Sequence, residues 1–269
     1  MIRHNTTLPA LWDTRRVDVV TGVALLLPII VMIIQRGIPV ITPLLLAIAV
    51  VAFWQFVFAK LQGRTIGLDG FTTALIFALL LPDTVPLWQQ GLALSFGVVM
   101  GDLIFGERGR GFLNPVVVGL VFLLFSFPVT AVVTPSLAVA IASAVAGAVL
   151  LMTGLLSWRI VVSFLVVMTL MVLVFPVAGG WKVLLGASLM PALIFLIGDP
   201  VAAACTNAGR WIYGGLAGGL VVLLGANGAG AGSLSSMVFA ALLASIFAPL
   251  IDQTVIWANV RRRMRRQVS

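Results

Sequence analysis

An all-α polytopic membrane protein of about ten transmembrane helices, arranged as two inverted five-helix repeats, is the architecture this sequence predicts. Three observations predict it. The 269 residues are 61% hydrophobic and only 9% charged, which leaves too little polar surface for a water-soluble domain and makes lipid the solvent for most of the chain. The apolar residues fall into segments separated by Pro, Gly or charge, and the basic residues gather on alternate connections. A four-residue phrase recurs once in each half.

The segments run in order as follows. Residues 1–18 mix Arg3, Arg15 and Arg16 with Pro9 and two Asp, and no small-residue cleavage site ends the first apolar run; they are read as a mature cytoplasmic segment. Long apolar runs at 19–34, 40–59, 116–133, 137–156, 160–175 and 238–257 are spans on length and composition. Four shorter or interrupted runs, 70–81, 87–105, 183–197 and 211–225, complete a set of ten. Residues 258–269 form a basic cytoplasmic tail, and 19–134 and 135–257 are the two repeats. Gly214, Gly215, Gly218 and Gly219 give the ninth run small-residue faces suited to close helix packing.

Charge orients the chain. With both termini inside, fourteen of the sixteen basic residues are cytoplasmic and only Arg36 and Lys182 lie outside, as the excess of Lys and Arg on cytoplasmic loops requires. The net charge of +8 is therefore a topology signal and an attraction to anionic lipid rather than a nucleic-acid surface.

The phrase Ala74-Leu75-Ile76-Phe77 returns as Ala192-Leu193-Ile194-Phe195, and Pro82-Asp83 and Asp199-Pro200 follow the two copies. They lie in the third and eighth runs, so the unit is five helices, and an odd unit inverts the second copy in the membrane. Short, interrupted segments at matching places in inverted halves point to a central site between them.

Few residues could carry chemistry there. One His, one Cys and one Tyr leave no disulfide framework and no His/Cys metal site, so no metal is expected. Phosphate-loop, dinucleotide and zinc-hydrolase signatures are missing, and no catalytic residue is assigned. The ion-path or central-site candidates are Asp69, Thr72, Thr73, Asp83, Asp102, Asn114, Asp199 and Arg210. An acid near membrane depth is a functional hypothesis by default. The competing structural readings are an N-terminal cap for Asp69, pairing of Asp102 with Arg108 or Arg110, a turn at Asp199 before Pro200, and pairing of Asp252 with the arginine tail or capping of the last helix.

Two blocks name a family. Asp69-Gly70-Phe71-Thr72-Thr73, Leu79-Leu80-Leu81-Pro82, Ser95-Phe96-Gly97-Val98-Val99-Met100-Gly101 and Phe112-Leu113-Asn114-Pro115 in the first block resemble the NqrB/RnfD family. So do Gly198-Asp199-Pro200-Val201, Thr206-Asn207-Ala208-Gly209-Arg210-Trp211 and Ala248-Pro249-Leu250-Ile251-Asp252 in the second. The resemblance implies a ten-helix subunit, in a bacterial cytoplasmic (inner) membrane, of a flavin-containing complex that couples electron transfer to Na+ or H+ translocation, with other membrane and redox subunits as partners. In that family FMN is esterified to Thr in a Ser-Gly-Ala-Thr motif after a helix ending in an aromatic-Pro pair. Phe127-Pro128 is present and the motif is not, so covalent FMN is not expected. Thr130, Thr134, Thr206 and Asn207 are the remaining hydroxyl and amide candidates for a bound FMN or riboflavin. The long soluble extensions of the sodium-pumping branch are also missing, which marks a compact relative. The alternatives from other classes are a stand-alone carrier or channel for a small planar solute and a non-catalytic structural subunit.

Overall fold

The computed structural model describes residues 14–62, 69–82, 84–105, 113–127, 135–175, 180–226, 230 and 232–268. Among these residues every regular element is helical: α1 (Thr14–Arg36), α2 (Ile41–Gln62), α3 (Asp69–Leu80), α4 (Leu87–Val98), α5 (Pro115–Ser126), α6 (Leu137–Met152), α7 (Trp158–Val174), α8 (Leu189–Ala192), α9 (Asn207–Gly225) and α10 (Leu234–Val268). Each of the ten runs expected from the sequence holds one of them. Four stretches, Val17–Arg36, Ile38–Leu61, Asn207–Gly225 and Leu234–Arg261, are long and apolar enough to cross a bilayer by themselves, and the chain is a multi-pass membrane protein.

Several boundaries shift, among them α5, which ends at Ser126, and α10, which runs over Leu234–Val268, and two runs change helix type. The run at 87–105 is α-helical only to Val98 and continues as a π turn, Val99–Leu103. The run at 183–197 is a 3-10 helix, Gly180–Leu185, followed by the single turn of α8 and a second π turn, Leu193–Ile197. Hydropathy registers apolar side chains and is blind to the hydrogen-bond register that separates α from π.

Side chains set several starts. Asn114 Oδ1 accepts from Val116 N at 2.8 Å ahead of α5, with Pro115 in the first helical position. Ser136 Oγ accepts from Val139 N at 3.2 Å ahead of α6, and Thr206 Oγ1 from Gly209 N at 3.1 Å ahead of α9. In lipid these caps matter more than in water, because no solvent stands ready to satisfy the free amides.

The core lies around α3 and the α8 segment. Every described residue from Thr72 to Pro82 is buried, as is every one from Pro191 to Asp199; a helix apolar on all sides has to be enclosed. Helices α1, α2 and α5 enclose α3, while α6 and α10 enclose α8. Between the two halves, α1 packs on α6 and α5 packs on α10.

Close approach depends on glycine at two crossings. A Cβ at Gly218 of α9 would sit 2.5 Å from Phe164 O of α7, and one at Gly214 the same distance from Ile160 O. Gly97 of α4 faces Pro115 O of α5 at 2.5 Å in the same sense, and Gly101 faces Pro115 Cα at 2.7 Å. Both pairs have the spacing that lets two backbones touch in a membrane. Trp158 and Trp211 meet edge to face, with centroids 5.6 Å apart, and the Arg261 guanidinium lies 3.6 Å from the Trp257 ring centroid. Trp88 and Trp181 are 62% and 65% exposed.

Candidate functional site

Among the described residues, the buried polar side chains Asp18, Thr21, Thr72, Thr73, Asn114 and Asp199 lie where α1, α3 and α5 begin and the α8 segment finishes. Asp199 is only 7% exposed and Asn114 only 5%. A carboxylate so placed is costly unless its lone pairs are met. Asn114 Nδ2 donates to Asp199 Oδ2 at 2.8 Å, and Val201 N donates to Asp199 Oδ1 at 3.2 Å. The second bond closes a local turn at Asp199-Pro200, the geometry expected for an Asp ahead of Pro. Asn114 thus has two tasks: its oxygen starts α5 and its nitrogen holds the carboxylate of the other half. A small cavity of about 20 Å³ lies beside this pair, lined by Thr21, Ile76, Leu150, Ile194, Phe195 and Asp199 among others, room for about one water-sized species.

A second cluster adjoins the first through the turn at 199–206. Asp252 Oδ2 accepts from Cys205 N at 2.7 Å, and Asp252 Oδ1 accepts from Thr206 N at 2.9 Å and from Thr206 Oγ1 at 2.6 Å. The expected pairing of Asp252 with the arginine tail, or a cap on its own helix, is corrected: α10 runs on to Val268, and Asp252 caps the neighbouring helix instead. Its partners are 46 and 47 residues away in sequence, beyond any local pattern. Gly209 is required beneath it, since a Cβ there would lie 2.6 Å from Asp252 Oδ1. Arg210 Nε donates to Ala204 O at 3.3 Å, and Tyr213, fully buried, donates its hydroxyl to Ile197 O at 3.2 Å. The turn is therefore held from α9 and from α10.

The remaining candidates distribute as follows. Thr72 and Thr73 are buried on α3, with the Thr72 methyl 3.6 Å from where a Cβ on Gly22 of α1 would stand. Asp69 is the first residue of α3. Asp102 is in the π turn after α4, next to Gly101, which abuts Pro115 and so reaches the start of α5. Asn207 is exposed in the first turn of α9. Asp83, Thr130 and Thr134 lie outside the described residues. Thr206, a candidate for holding a bound flavin, has its hydroxyl engaged with Asp252 and with the α9 cap. Among the described residues no three His, Cys, Asp or Glu side chains come together as a metal site. Sequence reasoning did not single out Thr21, Asp252 or Tyr213 for the site.

A family model described as the NQR2, RnfD, RnfE family matches residues 2–136 and 133–261. The chain is 33% identical, over 269 aligned positions, to a protein of Pseudomonas aeruginosa named as a subunit of Na(+)-translocating NADH-quinone reductase, an alignment covering 80% of this chain and 66% of that protein. The protein of the same name from Azotobacter vinelandii is 33% identical with the same coverage, and that from Chromohalobacter salexigens is 31% identical over 84% of this chain and 67% of its own length. The chain spans about 66% of the length of the Pseudomonas and Azotobacter proteins.

Proposed function

From its membership of the NQR2, RnfD, RnfE family, to which this chain belongs, we propose that it is a membrane subunit of an Nqr- or Rnf-like assembly. In that assembly it supplies the ion path, for Na+ or H+, while partner subunits carry the redox centres. The observation that carries this reading is the Asn114–Asp199 contact, a buried carboxylate held between the two halves at one end of the enclosed helices. Acids at membrane depth are expensive and mark ion or proton routes. Asp199 is the acceptor that would take a proton or a monovalent cation, Asn114 fixes its orientation, and the small cavity beside Thr21 is the adjoining station. Asp252 and Tyr213 hold the turn that carries Asp199 and act as positioning residues.

The ten helices make ten spans in this reading, as two inverted halves with both termini in the cytoplasm of a bacterial cell. Supporting it, helices α2 to α5 and α7 to α10 begin 117 to 120 residues apart, pair by pair. Helices packed across the halves, α1 with α6 and α5 with α10, are each other's counterparts, the arrangement a pseudo-two-fold axis creates. Single-cysteine variants Ile38→Cys and Met152→Cys, made in a Cys205→Ala background, test it: the two sites lie at the ends of α1 and α6 and should label from opposite faces of sealed vesicles. Labelling from one face would rule the inversion out.

The functional test is ion movement. Vesicles holding the assembled complex should lose Na+- or H+-coupled electron transfer in Asp199→Leu and keep a reduced rate in Asp199→Asn if the carried ion is not bound by charge alone. Unchanged ion uptake in Asp199→Leu would remove the path from this site.

A further inference from the structure

The second helix of each half is held in a different way. In the second half, α7 buries Ile160, Ser163, Phe164, Met168 and Val172 along one stripe, and its backbone touches α9 where Gly214 and Gly218 face Ile160 O and Phe164 O. Contacts of that kind fix a crossing, because no side chain stands between the two backbones to rearrange. The counterpart in the first half, α2, buries only Ala47 and Val51 among its described side chains. A Cβ at Gly91 of α4 would find nothing nearer than Val50 Cγ2 of α2, at 3.9 Å. The α2–α4 crossing has slack where the α7–α9 crossing has none.

Two further observations point the same way. Between the end of α1 and the exit from α3 the described residues leave a cavity of about 480 Å³, and Thr42 and Pro43 in the first turn of α2 form part of its wall, opposite Met32 and Leu81. Close-packed interiors keep few voids larger than a water molecule, and one of this size gives a helix end room to move. Gln90 of α4, completely buried, donates from Nε2 to Pro43 O at 2.5 Å, yet its Oε1 is buried with no partner. An unmet carbonyl is costly, most of all where no water is at hand, so the observed position of α2 satisfies only half of the amide that holds it. Farther along, α2 reaches the ion site: the Gln55 amide fills the space that a Cβ on Gly70 would need, between Asp69 and the buried Thr72 and Thr73 at the start of α3.

We propose that α2 is the moving element of this subunit. It rocks on Ala47 and Val51, its first turn enters the space beside α1 and α3, and Gln55 carries the displacement to the start of α3, while α7 and α9 move as one body. An ion path coupled to electron transfer cannot stand open to both sides at once and needs an element with two positions. The proposal rests on the path assigned above to Asp199 and gives α2 the control of access to it.

Spin-label distances on the full chain in nanodiscs, in the Cys205→Ala background, read the movement without turnover. Leu45→Cys on α2 and Val166→Cys on α7, each paired with Ile246→Cys on α10, put the labels at exposed positions. Two distances are expected for the Leu45 pair and one for the Val166 pair, and Gln90→Leu should change the ratio of the two. A single distance for the Leu45 pair overturns the proposal. Disulfides test the role in the assembled complex. Val50→Cys with Gly91→Cys joins α2 to α4 and should stop ion-coupled electron transfer until a reductant restores it. Val167→Cys with Gly215→Cys joins α7 to α9, where a Cβ at 215 would lie 3.3 Å from Val167 Cγ2, and should leave coupling unchanged. Full coupling with α2 locked, or equal loss with either lock, overturns the proposal. Failure of the Asp199 path has a separate signature: coupling that survives Asp199→Leu and is still lost when α2 is locked upholds the moving helix and removes the path.

Discussion

The exits from the two enclosed segments make a natural pair. Ala74 to Phe77 are 0 to 5% exposed and Ala192 to Phe195 are 0 to 6% exposed, so the repeated phrase has the same surroundings in both halves. Five residues beyond each phrase stands a proline, Pro82 or Pro200, and the residue before it is Leu81 in one half and Asp199 in the other. Leu81 lines a cavity of about 480 Å³ at the other end of α3, whereas Asp199 lines the 20 Å³ cavity and is held by Asn114. The backbone plan is duplicated and the chemistry is not. A buried position costs little to keep apolar and a great deal to make acidic, and the acid of the second half is met by an amide, Asn114, that the first half supplies.

Four changes would break or sharpen that comparison. Asp199→Leu, which gives the second half the residue of the first, should have the largest effect: loss of ion-coupled turnover in the assembled complex, with about 1–3 kcal/mol of stability lost because Asn114 Nδ2 is left without its near acceptor. Ion uptake at the wild-type rate would reduce Asp199 to a structural group. Next, Gly218→Ala drives a Cβ into Phe164 O and should cost about 1–3 kcal/mol. Gly219→Ala, whose new Cβ has nothing nearer than 3.9 Å, should be neutral or stabilising by up to about 1 kcal/mol from helix propensity. Melting curves in detergent compare the two, and equal shifts would refute the crossing as described. Asn114→Ala removes a helix cap and the carboxylate's partner, for about 1–2 kcal/mol; Asn114→Asp should restore the cap and still impair ion coupling through its charge, so recovery of both would contradict the double role. Smallest is Tyr213→Phe, with about 1 kcal/mol expected for the lost bond to Ile197 O, measured by the same melts; a null result would show that Arg210 and Asp252 hold the turn without it.

Much of the fold was legible because lipid enforces a simple grammar. Apolar runs bounded by Pro, Gly and charge fell on α1 to α10, and the glycines at 214 and 218 were readable as a packing face. The π turns after Val98 and Ala192 were not legible, since composition does not encode hydrogen-bond register. The site was legible by residue and not by partnership. Asn114 and Asp199 could each be singled out as polar residues in an apolar chain, but their contact joins positions 85 apart in sequence. Asp252 was misjudged for the same reason: its three donors belong to the preceding helix's entrance.

The clamp made by Asp252 has a consequence for how the protein is built during translation. Cys205 and Thr206 emerge from the ribosome well before the carboxylate that satisfies them, and Asn114 emerges 85 residues before Asp199. Until the last helix has inserted, the entrance to α9 has open amides at the membrane boundary. Completion of this clamp thus waits for α10, and a nascent chain stopped before it leaves the amides of Cys205 and Thr206 without their carboxylate.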